Sequence, residues 1–326
     1  MTAVRTGDLT PVNLTDRDLD GPFADWTGPA RYYEYTRAAN PIGLGLTPKV
    51  PMERFPAALH AEGPTRIVEL DLSAPMGIDG GPATSPGLLA NFMRIVGGES
   101  VSTCPDATSE LYYVMSGRGF SAVNGALIRW GQGDVVTLPA GSASQHYAEA
   151  DAVLYWVHDE PLLRYLGAKP DRPRFAPTHY PAARSLAELD AIAAAPHATD
   201  RNRLSVLLAN EANPQTLTVT HVLWAMVGLL PAGAVQPPHR HQSVALDLII
   251  DCQPGCYTLV GDHVDADGKI VKPTRIDWEE GGAFVTPPGK WHAHLNESGV
   301  DAHLIPVQDA GLQTYLRALD IRFATR

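Results

Sequence analysis

The chain repeats itself in its glycines, prolines and histidines, and no other feature constrains its fold as strongly. In the second half, five residues separate Gly233 from His239, and His241 follows two positions later. Gly281 then leads across five residues to Pro287, followed by Gly289, His292 and Asn296. In the first half Gly97 stands five residues before Thr103, with Pro105 two further on, and six residues separate Glu110 from Gly117. Gly133, Pro139, Gly141 and His146 complete the series. Read as landmarks, Gly97 and Gly233 lie 136 residues apart, and His146 and His292 lie 146 apart. The difference is assigned to a longer insertion in the second copy, around DHVDADGKIVKPTR. Two copies of one unit in tandem are the implied architecture.

The unit is built of strands. With Gly 29 and Pro 28 in 326 residues, about one position in six breaks regular structure, which suits short strands and tight turns. TRIVELDLS, LLANFMRIV, ELYYVMSGRG, FSAVNGALIRW and DVVTLPAG read as strands of the first half. TLTVTHVLWAMVGLL, ALDLIID, CYTLVGD, GAFVTPPG and AHLIPVQD read as strands of the second. Between them SLAELDAIAAAP reads as a short helix, with Ser185 as its cap and Pro196 as its stop. The expected division is an N-terminal arm over 1–64, a first β domain over 65–168, a linker over 169–215 and a second β domain over 216–326. The arm carries Trp26, Tyr32, Tyr33 and Tyr35, enough apolar area to pack on the body or on a neighbouring copy.

Composition excludes several classes. Hydrophobic residues make up 44% of the chain, too many for a disordered protein. The longest nearly uncharged apolar stretch, Val222 to Val235, is too short to span a bilayer and is broken by Pro231. The net charge is −11 with no basic run, so a nucleic acid backbone would be repelled. The N-terminus shows no apolar core of signal-peptide type, so a cytoplasmic protein is expected. Cys104, Cys252 and Cys256 have no zinc-like spacing and read as reduced, structural thiols.

Metal binding is the chemistry that the histidines suggest. On a strand, His239 and His241 project to one face, and His292 follows the turn TPPGKW on what would be a neighbouring strand. Three converging imidazoles make an open site for a divalent transition metal. Alternation from His241 carries Asp247 to the same face, as a further ligand or as a base or substrate contact. In the first half Thr103 and Pro105 stand where histidines would be needed. Glu110 and His146 alone are a poor metal site, so this copy reads as structural.

These spacings resemble the two sequence motifs of the cupin superfamily, and the second motif is met in full by Gly281, Pro287, Gly289, His292 and Asn296. The resemblance covers nearly all of residues 65–326 and implies an all-β fold, a double-stranded β-helix or jelly-roll bicupin with an N-terminal arm and a short helical linker. Within the superfamily, PPHRHQSVALDLII, PGCYTLVGD and TPPGKWHAHLN are similar to segments of gentisate dioxygenases, and in size and placement of the metal site the chain also resembles the large subunit of hydroquinone dioxygenase. The first resemblance implies Fe(II) on His239, His241 and His292, with Trp291 and His294 beside the substrate. The second implies His241, Asp247 and His292 as ligands, with His239 ancillary. Mn, Ni or Zn would suit the same ligands.

One departure bears on the substrate. Where gentisate-type enzymes carry an arginine that holds the substrate carboxylate, this chain has Asp247. A carboxylate there repels gentisate or salicylate unless another cation compensates, and Arg275 is the candidate. The reading therefore leans to a para-diphenol without a carboxylate, cleaved with dioxygen. His294 or Asp247 serves as proton acceptor, and Trp291 and Tyr257 form apolar walls. An oxygen-independent metallo-cupin (isomerase, lyase or decarboxylase) and a non-catalytic binding cupin are the alternatives. A homo-oligomer is expected, and a hydroquinone-type enzyme would add a small second subunit.

Overall fold

A computed structural model describes residues 27–198 and 201–324; Trp26 of the aromatic arm lies outside them. Residues 1–46 form a unit distinct from 47–326. In its described part a single helical turn, Tyr35–Ala38, is capped by the Glu34 carboxylate, which accepts from the backbone N–H groups of Thr36 and Arg37. Tyr32, Tyr33 and Tyr35 are exposed. No helix among the described residues is long and apolar enough to cross a membrane.

The sheets of the body from residue 47 are antiparallel throughout among the described residues. In the first half an eight-stranded sheet runs in the order Arg66–Glu69, Leu89–Ile95, Ser144–His158, Ser109–Val123, Val135–Pro139, Thr178–Tyr180, with Ser100–Thr103 and Ala126–Gly131 paired at its sides. The two central strands are 15 residues long and bend around the barrel. Register shifts between Val114 and Gly119 mark the bend of Ser109–Val123. Gly117 sits there at φ 81°, where a Cβ would meet the Asp151 carbonyl oxygen at 2.4 Å. The apolar run ELYYVM is buried on both faces. Tyr112 and Val114 fill the first barrel, whereas Leu111 and Tyr113 pack with Leu246, Leu248, Val285 and Ile305 of the second half.

The second half consists of two sheets. One has the order Arg54–Phe55, Ala283–Thr286, Ala245–Asp251, Ala302–Gln308, Trp224–Leu230, Leu204–Leu208. The other has the order Thr274–Asp277, Cys256–Gly261, Trp291–Asn296, Val235–Arg240, Arg322–Phe323. Ile249, Val260, Ile276, Trp278, Phe284 and Leu304 fill the space between them. Residues 53–60, expected in the arm, are part of this half. Arg54–Phe55 pairs with Phe284 and Ala283, and His60 Nε2 meets the Gly281 carbonyl at 2.9 Å.

Two expectations are corrected by the fold. The helix spans Ala182–Ala194 and starts at Pro181, so Ser185 is buried inside it and does not cap it. Its first N–H, on Ala182, is satisfied by the Asp134 carboxylate of the first half at 2.8 Å, a cap that local sequence does not reveal. The repeat register also moves by two residues. Thr103 pairs with Ser144 as His239 pairs with His292, so Ser144 is the counterpart of His292 and His146 that of His294. This spacing of 148 residues matches Gly133 to Gly281 and Pro139 to Pro287. A slip of two leaves side chains on the same face, which is why the nearest histidine looked equivalent.

The first barrel therefore has Thr103, Pro105 and Ser144 at the three histidine positions. A closed polar chain occupies its interior. Trp130 Nε1 donates to Ser121 Oγ at 2.9 Å, and that hydroxyl lies 2.7 Å from His146 Nδ1. His146 Nε2 faces Thr103 Oγ1 at 3.1 Å, and Thr103 Oγ1 meets the Tyr112 hydroxyl at 2.9 Å. Tyr112 and Trp156 donate to Glu110 Oε2 at 2.6 and 3.0 Å. Burial pushes the Glu110 carboxyl up to about 8 against those two hydrogen bonds. Between the ordinary carboxylate value and about 8 the unfolded chain ionises while the folded one keeps its proton, so stability falls as pH rises through that window. Glu110→Gln keeps an acceptor for both donors and removes this titration. Its thermal stability relative to the parent is expected to grow from pH 5 to pH 8, on the order of 3 kcal/mol by scanning calorimetry.

Candidate metal centre

The second barrel keeps the three histidines. His239 and His292 are directly opposed on neighbouring strands, their ring centroids 4.0 Å apart. The ladder between these strands shifts register between Gln236 and His239, at Pro237 and Pro238, which have no N–H to contribute. His241 follows the strand end, 5.0 Å from His292 by centroid, with its carbonyl bonded to the Gly289 N–H at 2.7 Å. One ring nitrogen from each of the three lies within 4.8 Å of the other two.

The tautomers suit a cation. His241 Nδ1 lies 2.9 Å from the Ser243 carbonyl and His292 Nδ1 lies 3.1 Å from that of Lys290. A carbonyl only accepts, so both Nδ1 atoms carry the proton and both Nε2 atoms keep a lone pair. His241 Nε2 and His239 Nδ1 are buried without a hydrogen-bond partner, as unmetallated ligands would be. All three imidazoles are held below their ordinary pKa, His241 at about 4, first by burial and then by one another or by a nearby arginine. They are neutral at pH 7, the state that binds a metal. The residues present therefore fit a divalent transition metal.

That arginine is Arg203, which precedes the strand Leu204–Leu208 and which motif spacing gave no means of finding. Its Nε donates to Gln236 Oε1 at 3.2 Å and its Nη1 reaches Met226 Sδ at 3.2 Å. Gln236 pairs with His294, so the guanidinium enters the barrel beside the histidines. Its charge lowers the pKa of His239, His241, His292 and His294 and also bears on Asp247. Among the described residues it has no ion-pair partner.

Asp247 points into the barrel, because its neighbours Leu246 and Leu248 pack between the two halves. It stands outside the histidine group, however. Its Oδ2 accepts from Thr286 Oγ1 at 2.8 Å, and burial raises its pKa to about 6 against that bond and the pull of Arg203. The carboxylate expected among the ligands is therefore anchored by Thr286, and the converging set is all histidine.

His294 joins the cluster, with ring centroids 5.7 Å from His292 and 6.2 Å from His239. Trp291, Tyr257 and Arg275 do not. Residues 292 and 294 face inward with Thr258 and Val260, and alternation sends 291, 257 and 275 to the outer face. There Arg240 lies 5.5 Å from the Trp291 ring, Arg275 lies 3.6 Å from the Tyr257 ring, and Tyr257 donates to Glu297 at 2.7 Å. Arg275 is exposed and paired with Asp277. Arg275→Ala is accordingly expected to change kcat/KM by less than about twofold in steady-state oxygen uptake. In place of those walls, Phe323 of the strand Arg322–Phe323 stacks beside His239 at 6.2 Å.

No family model matches the chain. Among curated proteins it is 39% identical over 79 residues to a 5-aminosalicylate 1,2-dioxygenase from Comamonas sp, a match covering 23% of this chain and 21% of that protein. It is 29% identical over 101 residues to gentisate 1,2 dioxygenase 1 from Aquipseudomonas alcaligenes, covering 31% of this chain and 26% of that protein. It is 31% identical over 90 residues to a 5-nitrosalicylic acid 1,2-dioxygenase from Bradyrhizobium sp, covering 27% and 44%. The chain thus matches less than half the length of each of these relatives. Over its whole fold it is similar to salicylate 1,2-dioxygenase from Pseudaminobacter salicylatoxidans, with a TM-score of 0.64 at 15% identity over 85% of this chain and 90% of that one. A structure of that enzyme as gentisate adducts gives a TM-score of 0.65 at 14% identity over 90% and 91%. The chain is all-β and shares the fold of these salicylate 1,2-dioxygenase structures, stretches of it are similar to gentisate- and salicylate-type 1,2-dioxygenases, and its histidine cluster lies in the second half.

Proposed function

We propose that the protein is an Fe(II)-dependent ring-cleaving dioxygenase acting on a single-ring aromatic that carries a hydroxyl and a carboxylate. The observation that carries this reading is the half-buried guanidinium of Arg203, without an ion-pair partner among the described residues, beside three neutral, converging histidines. His239, His241 and His292 would hold the metal. Bound Fe(II) would supply the redox chemistry that side chains lack, bringing dioxygen to react with an electron-rich ring.

The chain's own groups orient the ring. Among the described residues Arg203 has no carboxylate partner, and a guanidinium withdrawn from solvent gains most from a bidentate anion. A substrate carboxylate meets that need, which reverses the inference drawn from Asp247 alone. Thr286 keeps the Asp247 carboxyl turned to itself, holding its Oδ2 in a hydrogen bond. The names of the curated relatives, all acting on hydroxybenzoates, agree with this substrate class.

The test is oxygen uptake by freshly Fe(II)-loaded protein offered gentisate, salicylate and hydroquinone in parallel, with chelated protein as control. Metal-dependent uptake with a hydroxybenzoate is expected. Uptake with hydroquinone alone would keep the reaction and overturn the role given to Arg203. No uptake with any of them on metal-replete protein would favour an oxygen-independent cupin.

A further inference from the structure

His294 sits beside the metal-competent triad but is wired differently from it. Its Nδ1 lies 2.7 Å from Thr258 Oγ1, and Thr258 Oγ1 in turn accepts from Trp278 Nε1 at 2.8 Å. All three side chains are buried, and His294 Nε2 has no hydrogen-bond partner among the described residues. A hydroxyl has one proton to give. With the indole N–H occupying a lone pair of Thr258, His294 Nδ1 is, among the described residues, the acceptor within reach of the Thr258 proton. The opposite arrangement would leave that proton buried with nowhere to go. Nδ1 is therefore the bare nitrogen and Nε2 carries the hydrogen. His241 and His292, whose Nδ1 atoms face carbonyls, have the reverse tautomer.

The first barrel repeats this chain without any metal ligands. Trp130 donates to Ser121, Ser121 meets His146 Nδ1, and His146 Nε2 faces Thr103. Thr103 stands where His239 stands in the second barrel, as the strand pairing sets. The tryptophan–hydroxyl–histidine chain thus occurs independently of the triad and aims Nε2 toward the ligand position. In the first barrel the Thr103 hydroxyl meets that nitrogen; in the second no side chain among the described residues does.

We propose that Trp278 and Thr258 are positioning residues that hold His294 as the Nε2–H tautomer, making it a fixed hydrogen-bond donor to an oxygen of the bound substrate and neither a metal ligand nor a proton acceptor. The substrate role rests on the dioxygenase reading; the tautomer does not.

The two parts are separable by experiment. Heteronuclear NMR of ring nitrogens in histidine-labelled, Zn(II)-loaded full-length protein, with His294 assigned by its loss in His294→Asn, reads the tautomer without turnover. A protonated Nε2 and bare Nδ1 are expected. Thr258→Val should abolish that preference while leaving metal stoichiometry at the parent value, and should lower kcat/KM by about 10- to 100-fold. Thr258→Ser, which reproduces the first barrel's hydroxyl, should restore both tautomer and rate. A protonated Nδ1 in the parent, or an unchanged tautomer in Thr258→Val, would overturn the proposal. If no substrate is turned over but the tautomer behaves as stated, the wiring stands and the dioxygenase reading fails.

Discussion

Substituting His292→Ala is expected to abolish tight binding of a divalent transition metal and to lower kcat/KM by about a thousandfold or more, because two imidazoles rarely retain such an ion. His292 is the middle of the cluster, 4.0 Å from His239 and 5.0 Å from His241 by ring centroid. Its Nδ1 is tied to the Lys290 carbonyl, so its lone pair is aimed before any metal arrives. Metal content after dialysis, alongside oxygen uptake, reads the loss. Asp247→Asn is the matching control. Since Asp247 is held by Thr286 and lies outside the triad, its variant should retain the parent metal stoichiometry. A metal-depleted Asp247→Asn protein would return the carboxylate to the ligand set.

Arg203→Met should raise KM for a hydroxybenzoate about tenfold to a hundredfold, the scale expected when a partly buried charge-assisted pair loses one member. Methionine fills the stem volume and keeps the metal site intact, so metal content should match the parent. Arg203→Lys should recover only part of the loss, since an ammonium cannot reproduce the planar fork. Hydroquinone, lacking the carboxylate, should bind the parent and Arg203→Met with similar KM. An equal loss for both ring types would assign Arg203 a purely structural part, packed on Gln236 and Met226.

The residues that could hold a metal were legible from strand spacing and turn landmarks. An i, i+2 pair of histidines shares a face by backbone geometry alone, and turn residues at set offsets place the third histidine on the neighbouring strand. The inward direction of Asp247 followed from the same alternation. Trp291, Tyr257 and Arg275 also lay near the motifs, but proximity in sequence was misleading for them. Odd and even positions of one strand face opposite sides, and in the pairing that forms, theirs is the outer side.

The sequence by itself determined the two-fold repeat, the strand-and-turn architecture, the lost histidines at Thr103 and Pro105, and the triad His239, His241 and His292. Each is a local pattern that covalent geometry converts directly into a shared face or a turn. Only the tertiary structure decided that Arg203, 36 residues before His239, lies beside the cluster, that Asp247 bonds Thr286, that Asp134 caps a distant helix, and that Trp278 and Thr258 are joined to His294. Those contacts join strands far apart in the chain. They depend on barrel closure and on registers set by bulges, which spacing along a single strand does not encode.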